Sequence, residues 1–228
     1  MNYRDYLIYD LESTSATPKS TQPASLAAVV VHGRTLEIKP NSEFNSLIQV
    51  VTDQEECDRL GLDKMQEGAV KVHGLSEEKL ADAPTLKTVW ANFTEYVNEY
   101  NFRGNDFTAP VSVGYNINNF DSVIVERICS QEPWNYGPKS DKFPRGTIFH
   151  PIYSIDMMQV THMFFENDKA VSSLSMDNLV RSHMGYDKGK GHDALDDVIM
   201  TAELFCRFQK MIRGIASKRK FQGSMASA

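Results

Sequence analysis

Three acidic stretches, far apart in the chain, each stand where a regular element begins or ends, and that placement limits the folds open to the sequence. Asp10-Leu11-Glu12 closes the apolar, β-prone run Tyr6 to Tyr9 and precedes a Ser/Thr/Pro-rich loop from Ser13 to Pro23. This is the pattern of a strand running out into a loop. Asp121 opens a helical run just beyond the apolar stretch Val111 to Tyr115, and Asp197 lies in the first turn of the last long helical run, behind Gly191 and His192. One fold can gather all three if its strands end along one edge with helices starting there, as α/β sheets arrange their sites.

Between these landmarks the chain alternates. Leu26 to Val31 and Arg34 to Lys39 flank His32-Gly33 and read as two strands of a hairpin, with Phe44 to Val51 continuing the sheet. Val72 to Glu78 reads as a turn into a helix capped by Ser76. Thr85 to Phe102 places Leu86, Val89, Trp90, Phe93, Val97 and Tyr100 at helical spacing, an amphipathic helix laid on the sheet. Asn116 to Phe120 connects the strand Val111 to Tyr115 to a helix over Asp121 to Cys129. Ile152 to Asp156 reads as a strand, Met157 to Phe165 and Leu174 to Met184 as helices, and Asp193 to Ile215 as the final helix. Residues 1–216 then form a single domain, and the stretch from Ser217, with Lys218, Arg219 and Lys220, reads as a basic, small-residue tail.

The 228 residues suffice for one domain with a sizeable core, and 41% apolar with 24% charged is a globular balance. The run Leu26 to Val31 is too short to span a bilayer, and the first residues have no signal-peptide apolar region. Three scattered cysteines indicate neither a disulfide framework nor a thiolate metal site, which points to a reducing, cytoplasmic setting. A net charge of −6 argues against a broad basic face for nucleic acid. It leaves room for a nucleic-acid enzyme whose carboxylates are neutralised by bound cations. Two loops could still meet a strand: Gln131 to Pro151 interleaves Lys139, Lys142 and Arg145 with Trp134, Tyr136 and Phe143, and Gly185 to Gly191 carries Lys188 and Lys190.

Strand geometry puts Asp10 and Glu12 on one face, Cα atoms roughly 6 to 7 Å apart, close enough to share a cation. Asp53-Gln54-Glu55 repeats the spacing without an apolar strand before it and reads as an ordinary helix start. Asp121 taken alone reads equally as a plain helix cap. Together, Asp10, Glu12, Asp121 and Asp197 would repel one another unless divalent cations lay among them. An all-oxygen donor set points to Mg²⁺ or Mn²⁺, two ions, rather than zinc. Such a pair suits in-line phosphoryl displacement, and His192 is titratable enough to take a proton from an attacking water.

The ordered set Asp10-x-Glu12, Asn116-x-x-x-Phe120-Asp121 and His192-x-Ala194-x-x-Asp197 resembles the three motifs of the DEDDh 3′→5′ exonuclease family, and Val72 to Glu78 is similar to a segment that family carries between its first two motifs. Gly114-Tyr115-Asn116 and Pro23-x-x-Leu26-Ala27-Ala28 look most like the exonuclease I branch. The resemblance implies a ribonuclease H-like α/β domain with a mixed five-stranded sheet flanked by helices. It implies metal ligands at Asp10, Glu12, Asp121 and Asp197, a general base at His192, and substrate contacts at Ser13 and Thr14; His73 and Asn116 are further candidate substrate contacts, and Lys188 and Lys190 of the basic loop are candidates to steer phosphate. Ser15 stands where the family commonly has Gly, and Tyr115 where many relatives have His. The implied activity is release of nucleoside 5′-monophosphates from single-stranded DNA 3′ ends, with RNA trimming or polymerase-associated proofreading as other family activities. A protein partner is not indicated. A catalytically inert nucleic-acid-binding module would lack a carboxylate or the histidine, and all five are present.

Overall fold

The computed structural model describes residues 4–130, 148–179 and 193–218. Its centre is a five-stranded sheet built on β1, Tyr6–Ser13. On one side β1 pairs antiparallel with β2, Pro23–Val31, which pairs antiparallel with β3, Phe44–Leu47. On the other side β1 runs parallel to β4, Val111–Gly114, and β4 parallel to β5, Ser154–Asp156. The order is β3-β2-β1-β4-β5, so the sheet is mixed, as the resemblance implies.

Every residue of β2 is buried, which requires cover on both faces. Alternation along β1 sorts the two cores. Leu7, Tyr9 and Leu11, with Leu26, Ala28 and Val30, pack against Val89, Trp90, Phe93 and Val97 of α4, Leu86–Glu99, and against Ile124, Val125 and Ile128 of α5, Asp121–Ser130. Ile8, with Ala27, Val29, Val31 and Val113, faces the other way, onto Ala194, Val198, Ala202 and Phe205 of α8, Ala194–Lys218. Burying a large apolar side chain contributes about 1.5–3 kcal/mol. That is enough for packing to outweigh the weak helix propensity of Val89 and Val97 in α4. Because Asp10 and Glu12 keep the parity of Ile8, the same alternation turns both carboxylates toward α8.

The remaining helices are short: α1, Gln54–Leu60; α2, Glu67–His73; α3, Glu77–Leu80; α6, Met157–Phe165; and α7, Met176–Leu179. Asp53 caps α1, its side chain accepting the Glu56 amide, and Thr85 caps α4 by accepting from Thr88. Ser76 stands at the cap of α3 without a side-chain bond to the helix backbone.

Three expectations need correction. Arg34 to Lys39 is not a strand: Leu36 takes a left-handed φ of 57° and its amide turns back to the His32 carbonyl, so only an isolated bridge joins Ile38 to Val31. The antiparallel neighbours of β2 are β1 and β3 instead. Phe44 to Val51 forms a strand only through Leu47. The turn into a helix expected over Val72 to Glu78 is there, with Ser76 at the start of α3, and its first residues Val72 and His73 also end α2, which stops at Gly74 with φ 73°. The final helix runs to Lys218, past Ile215, so Ser217 and Lys218 are helical rather than tail. The tail beyond Lys218, most of the basic and aromatic loop, and the helix expected past Leu179 lie outside the described residues.

Candidate active site

Three side chains expected at the site meet. One carboxylate oxygen from each of Asp10, Glu12 and Asp197 lies within 4.8 Å of the others, and all three residues are half-buried. Two come from the end of β1 and one from the first turn of α8, where Ala194 and Val198 seat that turn on the sheet. The Asp197 amide donates to the Asp193 carbonyl at 3.0 Å. Three carboxylates, with no sulfur or nitrogen donor joining them among the described residues, make a set that suits a hard divalent cation.

Asp121 stands just behind this group and is buried. β4 pairs with β1 only through Ile8, and farther along β1 the Leu11 amide donates to the Asp121 carboxylate at 3.0 Å. Burial pushes the Asp121 carboxyl well above the usual carboxylate range, and the charges of Asp10 and Glu12 push the same way. Bonds from its own amide and the Leu11 amide oppose the shift.

The connection that delivers Asp121 is held tightly. A Cβ on Gly114 would fall 1.9 Å from the Ile117 side chain and 3.0 Å from the Tyr9 carbonyl, so only glycine fits there. Asn116 adopts a left-handed φ of 61°. Its amide donates to Asp156 at 2.9 Å, the Asn118 amide donates to the same carboxylate at 3.2 Å, and the Met158 amide caps onto it at 3.0 Å. Asp156 is buried at the end of β5. Sequence reasoning passed over it, although an Asp between a strand and a helix is a capping signal.

Asn116 turns its side-chain oxygen toward Asn119 Nδ2 at 3.0 Å. Ser13 and Thr14 are buried in the loop behind Glu12. The Ser13 hydroxyl donates to the Ser15 carbonyl at 3.0 Å, and the Thr14 hydroxyl to the Asp63 carbonyl at 2.9 Å. His73 Nδ1 accepts the Leu75 amide at 3.0 Å, so the ring proton sits on Nε2, which donates to the Ser13 carbonyl at 3.1 Å. A cavity of about 230 Å³ opens beside Glu12, between His73, Leu75, Asn45, Leu47 and Asp193. Asp193 is exposed and its carboxylate accepts the Leu195 amide at 2.9 Å, while Asp196 is exposed. Neither joins the carboxylate group. The Tyr115 hydroxyl donates to the Leu174 carbonyl and lies 3.4 Å from Thr161 Oγ1, tying β4 to α6 and the segment after it. His192, Lys188 and Lys190 lie outside the described residues.

A strand-end pair of carboxylates, a helix-start carboxylate behind it and a third stretch on the last helix define a nuclease-type α/β domain. Residues 7–205 match the model of the exonuclease family designated RNase_T, and the chain belongs to that family. No curated protein matches it in sequence. Among solved structures it is similar to cell-death related nuclease 4, with a TM-score of 0.66 and 16% identity over 92% of this chain and 64% of that one. It is similar to E. coli exonuclease I in complex with a dT13 oligonucleotide, with a TM-score of 0.67 and 16% identity over 98% of this chain and 46% of that one. The zinc-bound form of the E. coli exonuclease I–single-stranded DNA complex gives 0.66 and 15% over 92% and 43%. The chain thus spans less than two thirds of the length of each of these proteins, and at such identity the likeness is one of fold.

Proposed function

We propose that the chain is a divalent-metal-dependent 3′→5′ exonuclease that removes nucleoside 5′-monophosphates from the 3′ ends of single-stranded DNA. The observation that carries this reading is the meeting of Asp10, Glu12 and Asp197 within 4.8 Å, in a chain of the exonuclease family. Asp10, Glu12, Asp197 and Asp121 would hold two Mg²⁺ or Mn²⁺ ions, which would supply positive charge to the attacking and leaving oxygens of an in-line displacement at phosphorus.

The protein's own groups supply the rest. His192, immediately before Asp193 at the start of α8, takes the proton of the attacking water. The P–O3′ bond breaks, the shortened strand leaves with a 3′ hydroxyl, and the released nucleotide keeps the 5′ phosphate. The cavity beside Glu12 and His73 has room for the terminal nucleobase, with Leu47 and Leu75 as its apolar walls. Asn116, half-buried on the connection after β4, would meet the strand, the buried Ser13 and Thr14 would shape the loop behind Glu12 rather than touch the nucleotide with their side chains, and Lys188 and Lys190 would steer phosphate. Single-stranded DNA is preferred because exonuclease I, of similar fold, has been seen with a dT13 oligonucleotide, and because a net charge of −6 disfavours a broad duplex-gripping face. The three buried thiols, none of them in a disulfide, fit a reducing, cytoplasmic setting. Among the described residues no helix is long and apolar enough to cross a membrane.

The test is incubation of 5′-labelled single-stranded DNA, duplex DNA and RNA with Mg²⁺, with and without chelator. A ladder shortening from the 3′ end, fastest on single-stranded DNA and stopped by chelation, is expected. Internal cleavage, or a ladder that survives chelation, would refute the reading.

A further inference from the structure

Asp63 lies between α1 and α2, fifty residues from the catalytic strand by number, yet it directs its hydrogen bonds to the loop that leaves β1 directly after Glu12. Its carboxylate accepts the hydroxyls of Ser15 at 2.6 Å and Ser20 at 2.7 Å. Its carbonyl accepts the Thr14 hydroxyl at 2.9 Å and Gln22 Nε2 at 3.0 Å, and its amide donates to the Ser20 carbonyl at 2.8 Å. From the other side Arg127 of α5 donates to the carbonyls of Lys19, at 2.7 Å, and Thr21. Burial pushes the Arg127 guanidinium below its usual range and the Asp63 carboxylate opposes that shift, so opposite charges bracket one loop. Ser15, where the family commonly has Gly, is 3% exposed, and Asp63 is what gives its buried hydroxyl an acceptor. The Ser15 amide is itself committed to the Thr21 hydroxyl at 2.8 Å.

The anchor acts where the sheet holds least. The β1–β2 register slips between Glu12 and Ser13, a bulge at the site carboxylate itself. Bulges re-aim side chains and interrupt the ladder, so the direction of Glu12 and of the surface next to it depends on where the loop is held. We propose that Asp63 is a positioning residue for phosphodiester hydrolysis, fixing the loop behind Glu12 so that the loop's outer surface meets the terminal nucleotide. The proposal rests on the nuclease reading above.

The experiment compares wild type, Asp63→Asn, Ser15→Ala and the double variant in steady-state cleavage of single-stranded DNA and in thermal melts with and without Mg²⁺. Asp63→Asn keeps the backbone bonds of residue 63 and therefore folds. A misplacement of the order of 1 Å lowers turnover by about 10²-fold. The expected result is accordingly a fall in kcat of roughly 10- to 100-fold in Asp63→Asn, with the Mg²⁺-induced rise in Tm unchanged. Ser15→Ala should show part of that fall and add less in the Asp63→Asn background than alone, since asparagine leaves the Ser15 hydroxyl only a neutral acceptor in place of a charged one and both changes weaken the same bond. Values of kcat and KM within about twofold of wild type, or a loss that vanishes when assays are run well below Tm, would overturn the proposal. An inactive wild type would instead refute the nuclease reading and this proposal with it.

Discussion

The amide of Leu11 donates to the carboxylate of Asp121 at 3.0 Å, joining the strand that carries Asp10 and Glu12 to the helix start that follows β4. One backbone bond therefore fixes the spacing between the first and second acidic stretches. It also leaves Asp121 buried beside two like charges, a costly place for an ion.

The sign of that cost gives a pH prediction. The Asp121 carboxyl titrates higher in the folded protein than in the unfolded chain, so the folded state holds the proton more tightly. Its stabilising contribution is complete below the ordinary carboxylate range, near 4, and is lost as pH rises through the raised folded value. Metal-free Asp121→Asn, which keeps an acceptor for the Leu11 amide, should melt above wild type at pH 7, with the gap closing on acidification. The variant should also lose most of its nuclease activity. Melts across pH in chelator check this, and an asparagine variant no more stable than wild type at pH 7 would contradict it.

Cations should reverse the repulsion among the carboxylates. Mg²⁺ or Mn²⁺ at about 100 times its dissociation constant should stabilise the wild type by about 2.7 kcal/mol. Asp10→Asn, which replaces a proposed metal ligand, should lose most of that gain and fall in kcat by on the order of 10³-fold, the several kcal/mol a metal supplies to the transition state. Calorimetric titration of metal into each protein, beside the melts, is the measurement.

His192→Ala should behave oppositely with respect to metal. A missing general base lowers turnover by about 10²- to 10⁴-fold, while the Mg²⁺-induced rise in Tm stays at the wild-type value. In the pH–rate profile the acid limb of the wild type should flatten in the variant. Full activity in His192→Ala would remove the histidine from the mechanism.

Asp156→Ala leaves three amides, of Asn116, Asn118 and Met158, without their acceptor. Hydrogen bonds to a charged group contribute about 1.5–3 kcal/mol each, and water will replace part of what is lost. Destabilisation on the order of 3 kcal/mol by denaturant unfolding is expected. Asp156→Asn should retain part of the stability. A change below about 0.5 kcal/mol, the range of an inconsequential surface substitution, would show that the Asn116 to Phe120 connection holds itself.

The sheet and its covering helices were legible in local patterns. The apolar run Tyr6 to Tyr9 announces a buried strand, and the helical spacing from Leu86 to Val97 and the stripe Ala194, Val198, Ala202 and Phe205 each announce one buried helix face, because burial acts on the residue itself and leaves a pattern in the sequence. The acidic stretches were legible for the same reason, each standing at the end of such a pattern. Arg34 to Lys39 misled because β-prone composition carries no sign of the left-handed turn at Leu36. Asp63 could not be singled out, since its importance lies in partners 43 to 49 residues away, and of Asp156 only the cap on Met158 is a local signal, its bonds to Asn116 and Asn118 spanning 40 and 38 residues.

The sequence by itself thus determined which residue types could meet a cation and which faces they would share with the core. Only the tertiary structure decided how they meet: Asp10, Glu12 and Asp197 in one group, and Asp121 behind them on the Leu11 amide. The physical reason is that hydrophobic periodicity is a local signal, whereas the aim of a carboxylate depends on where a strand stops pairing and which distant side chains hold the loops around it.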